Sequence, residues 1–305
     1  MEKQITIIVP CFNEEEVIEI FYKEITKYFV DSYKFNILFV DDGSKDNTLA
    51  IIKQLANQDN RIKYLSFSRN FGKEAALLAG FEGALKLKSD AVIIIDVDLQ
   101  DPPSLIPEMI KYYEEGYLHI YAKHRTRAGE PKLKTFFAKS FYKVYAFLTK
   151  EKNLAQGARD FSLMDRKVVE AFVAIKDEKR FTKGISQWIG FKKKCIEFDY
   201  VPRVAGETKW SLKKLFKYAM LGIKQFSHHY TWITRLGIFA ASMFVLVDII
   251  LRIINQNISF YHIGLNVLVL LLFIILHFIM KLIYDVRDQA LNRPQYILQD
   301  GNIDE

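Results

Sequence analysis

Ala91-Val92-Ile93-Ile94-Ile95-Asp96-Val97-Asp98-Leu99-Gln100-Asp101 is the stretch on which the fold turns. A short apolar run rich in Ile and Val stops at a cluster of carboxylates, the pattern of a buried strand ending in a polar loop. Toward the N-terminus, Ile5–Val9, Phe35–Val40 and Ile62–Phe67 repeat that pattern. Longer helical patterns separate them, at Glu15–Phe29, Asn47–Asn57 and Lys73–Lys86. Strands alternating with helices predict an α/β domain whose parallel sheet is covered on both faces. Ligand groups in such sheets come from loops at the carboxyl ends of the strands. The other loops of that kind read Pro10-Cys11-Phe12-Asn13-Glu14, Asp41-Asp42-Gly43-Ser44 and Ser68-Arg69-Asn70-Phe71-Gly72-Lys73. All converge on one edge.

The carboxylates suggest the chemistry. Asp96 and Asp98 at a strand end, with the amide oxygen of Gln100, suit a hard divalent ion such as Mg²⁺ or Mn²⁺. Such an ion bridges a diphosphate and neutralises charge on a departing nucleotide. A lone Asp-x-Asp is more often a solvated turn. Asp41-Asp42 after a second strand strengthens the case, because one of those carboxylates can accept from a base N–H or a ribose hydroxyl.

The chain has 305 residues, half of them apolar, which allows a full α/β domain and something smaller. Its net charge of +7 is local. Residues 123–152 hold nine Lys/Arg against two Glu, and 203–235 hold seven against one, leaving the remainder acidic. Local basicity serves nucleic acid, a membrane surface or a phosphate substrate. Cys11 and Cys195 are expected to be reduced packing residues. Met1-Glu2-Lys3-Gln4 runs directly into a strand, so no leader is expected.

After about residue 225 the organisation changes. Leu236–Ile254 and Ile263–Ile283 are each about long enough to cross a hydrocarbon core of roughly 30 Å. Asp248 and Arg252 interrupt the first, but stand four residues apart and can pair on one helical face. The loop Asn255–His262 has no Lys or Arg, while Lys224, Arg235, Lys281, Arg287 and Arg293 flank the outer ends, so both termini are expected in the cytoplasm. Pro131–Lys150 and Ser211–Trp232 mix lysines with aromatic and aliphatic residues, as interfacial helices do. The expected division is a cytoplasmic catalytic domain with interfacial helices over 1–230, a two-helix membrane hairpin over 231–285 and a cytoplasmic tail over 286–305.

The ordered motifs resemble those of family 2 glycosyltransferases, and more narrowly the polyprenyl-phosphate branch. They are Val9-Pro10-Cys11-Phe12-Asn13-Glu14-Glu15, Val40 to Thr48, Arg69-Asn70-Phe71-Gly72-Lys73 and Asp96 to Pro103. The likeness continues through Asp160-Phe161-Ser162-Leu163-Met164-Asp165-Arg166, Arg203 to Ser211 and Arg293-Pro294-Gln295-Tyr296. The resemblance implies a GT-A fold, inversion at the anomeric carbon, and transfer of one sugar from a nucleotide sugar to a polyprenyl phosphate. The donor is expected to be UDP-glucose or UDP-N-acetylglucosamine. It also implies that Pro10, Asn13, Glu14 and Asp42 face the nucleoside, with Asp41, Lys73 and Asp96 in the same donor-binding set. Asp96, Asp98 and Gln100 would hold the metal, and Asp160 matches the aspartate assigned as base. Arg125, Lys139, Arg203 and Lys209 would meet the acceptor phosphate. A membrane, a homo-oligomer, a flippase and an extracytoplasmic glycosyltransferase are the expected partners.

A phosphate monoester has a second pKa near 6, so the acceptor is already ionised around neutral pH and leaves little for a base to remove. Cations that bring one anion up to another are therefore expected to matter as much as Asp160. Lys192, Lys193 and Lys194 are expected to be solvated. Two rival readings remain. A processive polysaccharide synthase would carry Gln-x-x-Arg-Trp, where this chain has Gln187-Trp188-Ile189-Gly190-Phe191. A catalytically inactive nucleotide-sugar-binding protein would not need Asp96, Asp98 and Asp160 together. Nucleic acid is not an expected partner, because the basic windows abut the apolar spans.

Overall fold

The computed structural model describes residues 3–125, 158–177, 180–199, 260–290 and 295–303, with positions 236, 239, 243 and 250. The apolar runs become strands β1 (Lys3–Cys11), β2 (Tyr33–Asp41), β3 (Ile62–Phe67) and β4 (Ala91–Ile94). Between them lie α1 (Ile18–Ile25), α2 (Thr48–Gln58) and α3 (Lys73–Lys86). After β4 come α4 (Ile106–Glu114), β5 (His119–His124), β6 (Ala158–Asp165), α5 (Arg166–Ala174), α6 (Thr182–Trp188) and β7 (Lys193–Phe198). A helix α7 (Phe260–Ala290) and a strand β8 (Leu298–Gly301) complete the described chain.

The eight strands run in the order β7-β5-β6-β4-β1-β2-β3-β8. β4, β1, β2 and β3 are mutually parallel. The parallel sheet expected from those four runs is observed, and it is extended at the flanks, where β6 and β8 run antiparallel to their neighbours. Both strands enter at the carboxyl edge of the sheet: Ala158 pairs with Lys123 near the end of β5, and Leu298 pairs with Phe67 at the end of β3. A strand that begins where the others finish must run the opposite way. Its first residues then join the loops of that edge.

Period-2 alternation divides the core. Ile5, Ile7, Val9, Phe35, Ile37 and Phe39 face α1, α2 and α4, whereas Ile8, Leu38, Val40, Val92 and Ile94 face α3 and α5. Both faces are covered, as alternating strands and helices require. α3 lies so close that a Cβ on Gly80 would stand 2.4 Å from Cγ2 of Ile8. The helix expected over Glu15–Phe29 is shorter. Glu14 supplies its carbonyl to the amides of Val17 and Ile18, and a 3₁₀ turn at Thr26–Tyr28 ends the segment. Cys11 is buried and Cys195 half-buried, both as free thiols.

Of the first expected span, only Leu236, Phe239, Met243 and Ile250 are described, all helical and exposed. The second falls inside α7, which has 31 residues and continues past its expected end to Ala290. Among the described residues no helix is long and apolar enough to cross a membrane. The basic stretches expected at an interface lie outside the described residues.

Candidate active site

The ends of β1 and β2 are knitted together by the loops that follow them. Asn13 adopts a left-handed φ of 52°. Its amide donates to Oγ of Ser44 at 2.8 Å, and its Oδ1 accepts from the Lys45 amide at 2.8 Å. The Glu14 amide donates to Oγ1 of Thr48 at 2.7 Å, while Pro10 lies within β1 opposite Val40. Asp41 is 1% exposed and accepts from the Ser44 amide (3.1 Å) and the Ser66 hydroxyl (2.9 Å). Asp42 accepts from the amides of Phe71 (2.6 Å) and Gly72 (2.9 Å). Burial raises the Asp42 carboxyl to about 6, against the pull of those two amides. Gly43 sits at φ +68°, and a Cβ there would stand 2.4 Å from the Arg69 carbonyl carbon, so this turn admits only glycine.

Further along the edge, carboxylates meet cations. Lys73 opens α3 and places Nζ 2.6 and 2.9 Å from the two oxygens of Asp96, and 2.7 Å from Oδ2 of Asp160. Lys183 on α6 stands 4.0 Å from the other oxygen of Asp160. Burial disfavours an ionised Asp160, but Lys73, then Lys183 and Arg159, hold its carboxyl well below the usual range. Burial likewise opposes the charge on Lys73, while Asp160 and Asp96 raise its pKa above the ordinary value. Beside this cluster, Nε of Arg159 lies 2.8 Å from Oδ1 of the fully buried Asp101. Burial lifts Asp101 to about 6 and Arg159 opposes the rise. Glu74, next to Lys73, accepts from the Thr182 amide at 3.1 Å and thereby fixes the start of α6 and the position of Lys183.

Asp98 is 6% exposed and accepts from the Gln100 amide at 3.1 Å, across Leu99 at φ 57°. Among the described residues no group of three His, Cys, Asp or Glu side chains gathers as a metal cage. Asp96, Asp98 and Gln100 nevertheless fit Mg²⁺ or Mn²⁺, which are commonly bound through one or two carboxylates with phosphate and water oxygens completing the shell.

Residues 6–172 match the family described as Glycosyl transferase family 2. The chain belongs to glycosyl transferase family 2. The uncharacterized glycosyltransferase YkcC of Bacillus subtilis (strain 168) is 38% identical over 308 residues, covering 97% of this chain and 93% of that protein. A bactoprenol glucosyl transferase of Shigella phage SfV is 41% identical over 243 residues, covering 79% of this chain and 78% of the relative. Glucosyl-3-phosphoglycerate synthase from Mycobacterium tuberculosis, solved with Mn²⁺, UDP and glucosyl-3-phosphoglycerate, shares the fold. Its TM-score is 0.50 at 18% identity, over 72% of this chain and 76% of that chain. The GT-A architecture expected from the motifs is the one observed.

Within this family 2 glycosyltransferase the structure brings Lys73, Asp96 and Asp160 into direct contact. Arg125 stands apart: its amide donates to the Phe198 carbonyl, and its exposed guanidinium lies 3.5 Å from Asp199. Lys139, Arg203 and Lys209 lie outside the described residues. Lys193 corrects the expectation of a solvated lysine. Its Nζ donates to the Ser186 carbonyl and to Gln187, and burial lowers its pKa to about 8. It lines a cavity of about 50 Å³ beside Asp160, with His119, Tyr121 and Ser186. Burial and the charge of Lys193 keep His119 neutral, down to about 3. Arg159, Asp101, Glu74 and Lys183 are site residues that no sequence motif assigns. Adjacency to Asp160 and Gln100 was a signal for the first two; none existed for Lys183.

Proposed function

We propose that this glycosyltransferase moves a single sugar from a nucleotide sugar to a polyprenyl phosphate, with inversion, at the cytoplasmic face of a membrane. The observation that carries the reading is the Lys73 bridge between Asp96 and Asp160, an ionised site able to exchange one internal ion pair for substrate anions. Relatives named bactoprenol glucosyl transferase support the lipid acceptor, and their name favours glucose, so the donor is UDP-glucose or, second, UDP-N-acetylglucosamine. The exposed Leu265, Leu268, Leu272 and Leu276 on α7 support membrane contact, and the Lys and Arg residues flanking the two apolar segments favour a hairpin with both termini inside.

Asp96, Asp98 and Gln100 would hold Mg²⁺ or Mn²⁺, which supplies charge neutralisation to the departing diphosphate. The acceptor phosphate oxygen forms the new bond to the anomeric carbon. The bond to the diphosphate breaks, and its electron pair leaves with the nucleoside diphosphate. Asp160, held ionised, does not need to take a proton from an acceptor that is already an anion. Its part is to position Lys73 and Lys183 around the reacting groups. Arg125, Lys139, Arg203 and Lys209 are assigned to the acceptor phosphate.

The test is to incubate membranes containing the protein with a panel of radiolabelled nucleotide sugars, extract the lipid and measure its mass. One sugar in a phosphodiester on one polyprenol is expected. A ladder of sugars, or a lipid diphosphate sugar, would overturn the reading.

A further inference from the structure

The last described residues, 295–303, fold back on the sheet edge formed by β3. β8 pairs with β3 through Leu65↔Gly301 and Ser66↔Asp300. The Asn302 side chain accepts from the Tyr64 amide at 2.7 Å and donates to the Ile62 carbonyl at 3.2 Å. Lys53 on α2 forms an ion pair with Asp300. Leu298 is itself exposed, so pairing and side-chain hydrogen bonds hold this strand more than burial does.

Two of its side chains connect, through Ser66 and Phe67 at the end of β3, to the loops of the donor edge. The Tyr296 ring stacks on Phe67 with centroids 4.9 Å apart, and Phe67 meets Phe71 edge-on at 5.7 Å. The Phe71 and Gly72 amides are those bound by Asp42, and Lys73 follows directly. The Tyr296 hydroxyl also donates to Glu82 on α3. Gln299 Nε2 lies 3.4 Å from the Ser66 hydroxyl, which donates to Asp41. Asp41 in turn holds the Ser44 amide, and the Ser44 hydroxyl holds the amide of Asn13.

We propose that residues 295–303 are a positioning strap for the nucleotide-sugar site, with Tyr296 and Gln299 as its working residues. Docked, the strap fixes the loops bearing Asp41, Asp42 and Lys73 in the geometry that receives a nucleoside diphosphate. The proposal rests on the donor-site reading above. Aromatic stacking of this kind adds to burial, enough to bias a loop without holding up the domain.

The experiment uses the full-length protein in lipid nanodiscs, comparing Tyr296→Ala, Tyr296→Phe and Gln299→Ala with wild type. Amide hydrogen exchange is followed at Phe71, Gly72 and Ser44, which requires no donor, and kcat and KM are then measured for the nucleotide sugar. Tyr296→Ala should quicken exchange at Phe71 and Gly72 about tenfold and raise donor KM about tenfold, with kcat within about threefold. Gln299→Ala should act at Ser44. Tyr296→Phe, which keeps the stack, should stay close to wild type. Unchanged exchange at Phe71 and Gly72, a rise shared by core amides such as Ile7 and Ile93, or an unchanged donor KM would each overturn the proposal. If wild type turns over no nucleotide sugar, the donor reading fails, and the exchange comparison still decides whether the strap holds the loops.

Discussion

Two aspartate pairs stand at the same sheet edge and look alike in sequence, Asp41-Asp42 and Asp96-x-Asp98, but Asp96 is satisfied in a way that Asp41 and Asp42 are not. The carboxylates of Asp41 and Asp42 accept from backbone amides and a serine hydroxyl. Asp96 is satisfied by the ammonium of Lys73, shared with Asp160. An amide fixed in a loop cannot leave its acceptor without moving the backbone, whereas a lysine can swing on a flexible stem. Asp41 and Asp42 therefore shape the loops, and Asp96 is built to exchange partners.

The largest effect should come from the Asp96-x-Asp98 motif, where Asp98 is assigned to the metal. Asp98→Ala is expected to leave a folded protein whose sugar transfer falls about 10³-fold, equivalent to ~4 kcal/mol of transition-state stabilisation. Circular dichroism with single-turnover transfer checks it, and full activity in EDTA would break the comparison at its root. Lys73→Ala should lower kcat about 10²-fold, more than any change in donor KM, because a charge at the reacting centre is lost. A pure KM effect would place Lys73 with the loop-shaping group instead.

Stability against pH sharpens the contrast by sign. Asp42 is raised from 3.8 to about 6, so between those values the folded state binds more protons than the unfolded state. Its contribution falls as pH rises from about 4 to 6, by on the order of 2 kcal/mol, and Asp42→Asn should remove that slope. Asp160 is lowered, so its contribution is present above about pH 4 and fades as pH falls further below that value. Thermal unfolding of Asp42→Asn and Asp160→Asn across pH 3 to 7 should change slope in opposite directions; parallel changes would show that both carboxylates do the same work.

The smallest effect belongs to the scaffold. Ser66→Ala removes one of the partners of the buried Asp41 and should cost about 1 kcal/mol in denaturant unfolding, with kcat unchanged. A loss of kcat without a loss of stability would assign Asp41 to the chemistry.

The parallel half of the sheet was legible because its strands are short apolar runs punctuated by helices. β3 and α3 have the bounds the sequence predicts. β8 was not legible, since Leu298-Gln299-Asp300-Gly301 has no strand-like apolar run and owes its conformation to β3. Asp96, Asp98 and Asp160 were readable as motif residues, but the Lys73–Asp160 contact joins residues far apart in sequence and depends on β6 running backward. Period and spacing carry local structure; they do not report which distant ammonium will neutralise a carboxylate.

The pairing of Lys123 with Ala158 has a consequence for the history of the fold. The chain leaves the sheet just past Lys123 and re-enters it at Ala158, so these two points are fixed side by side. Closing a flexible loop costs only about 0.6 kcal/mol more for each doubling of its length. Insertions or deletions between these two positions would therefore leave their pairing in place at little expense.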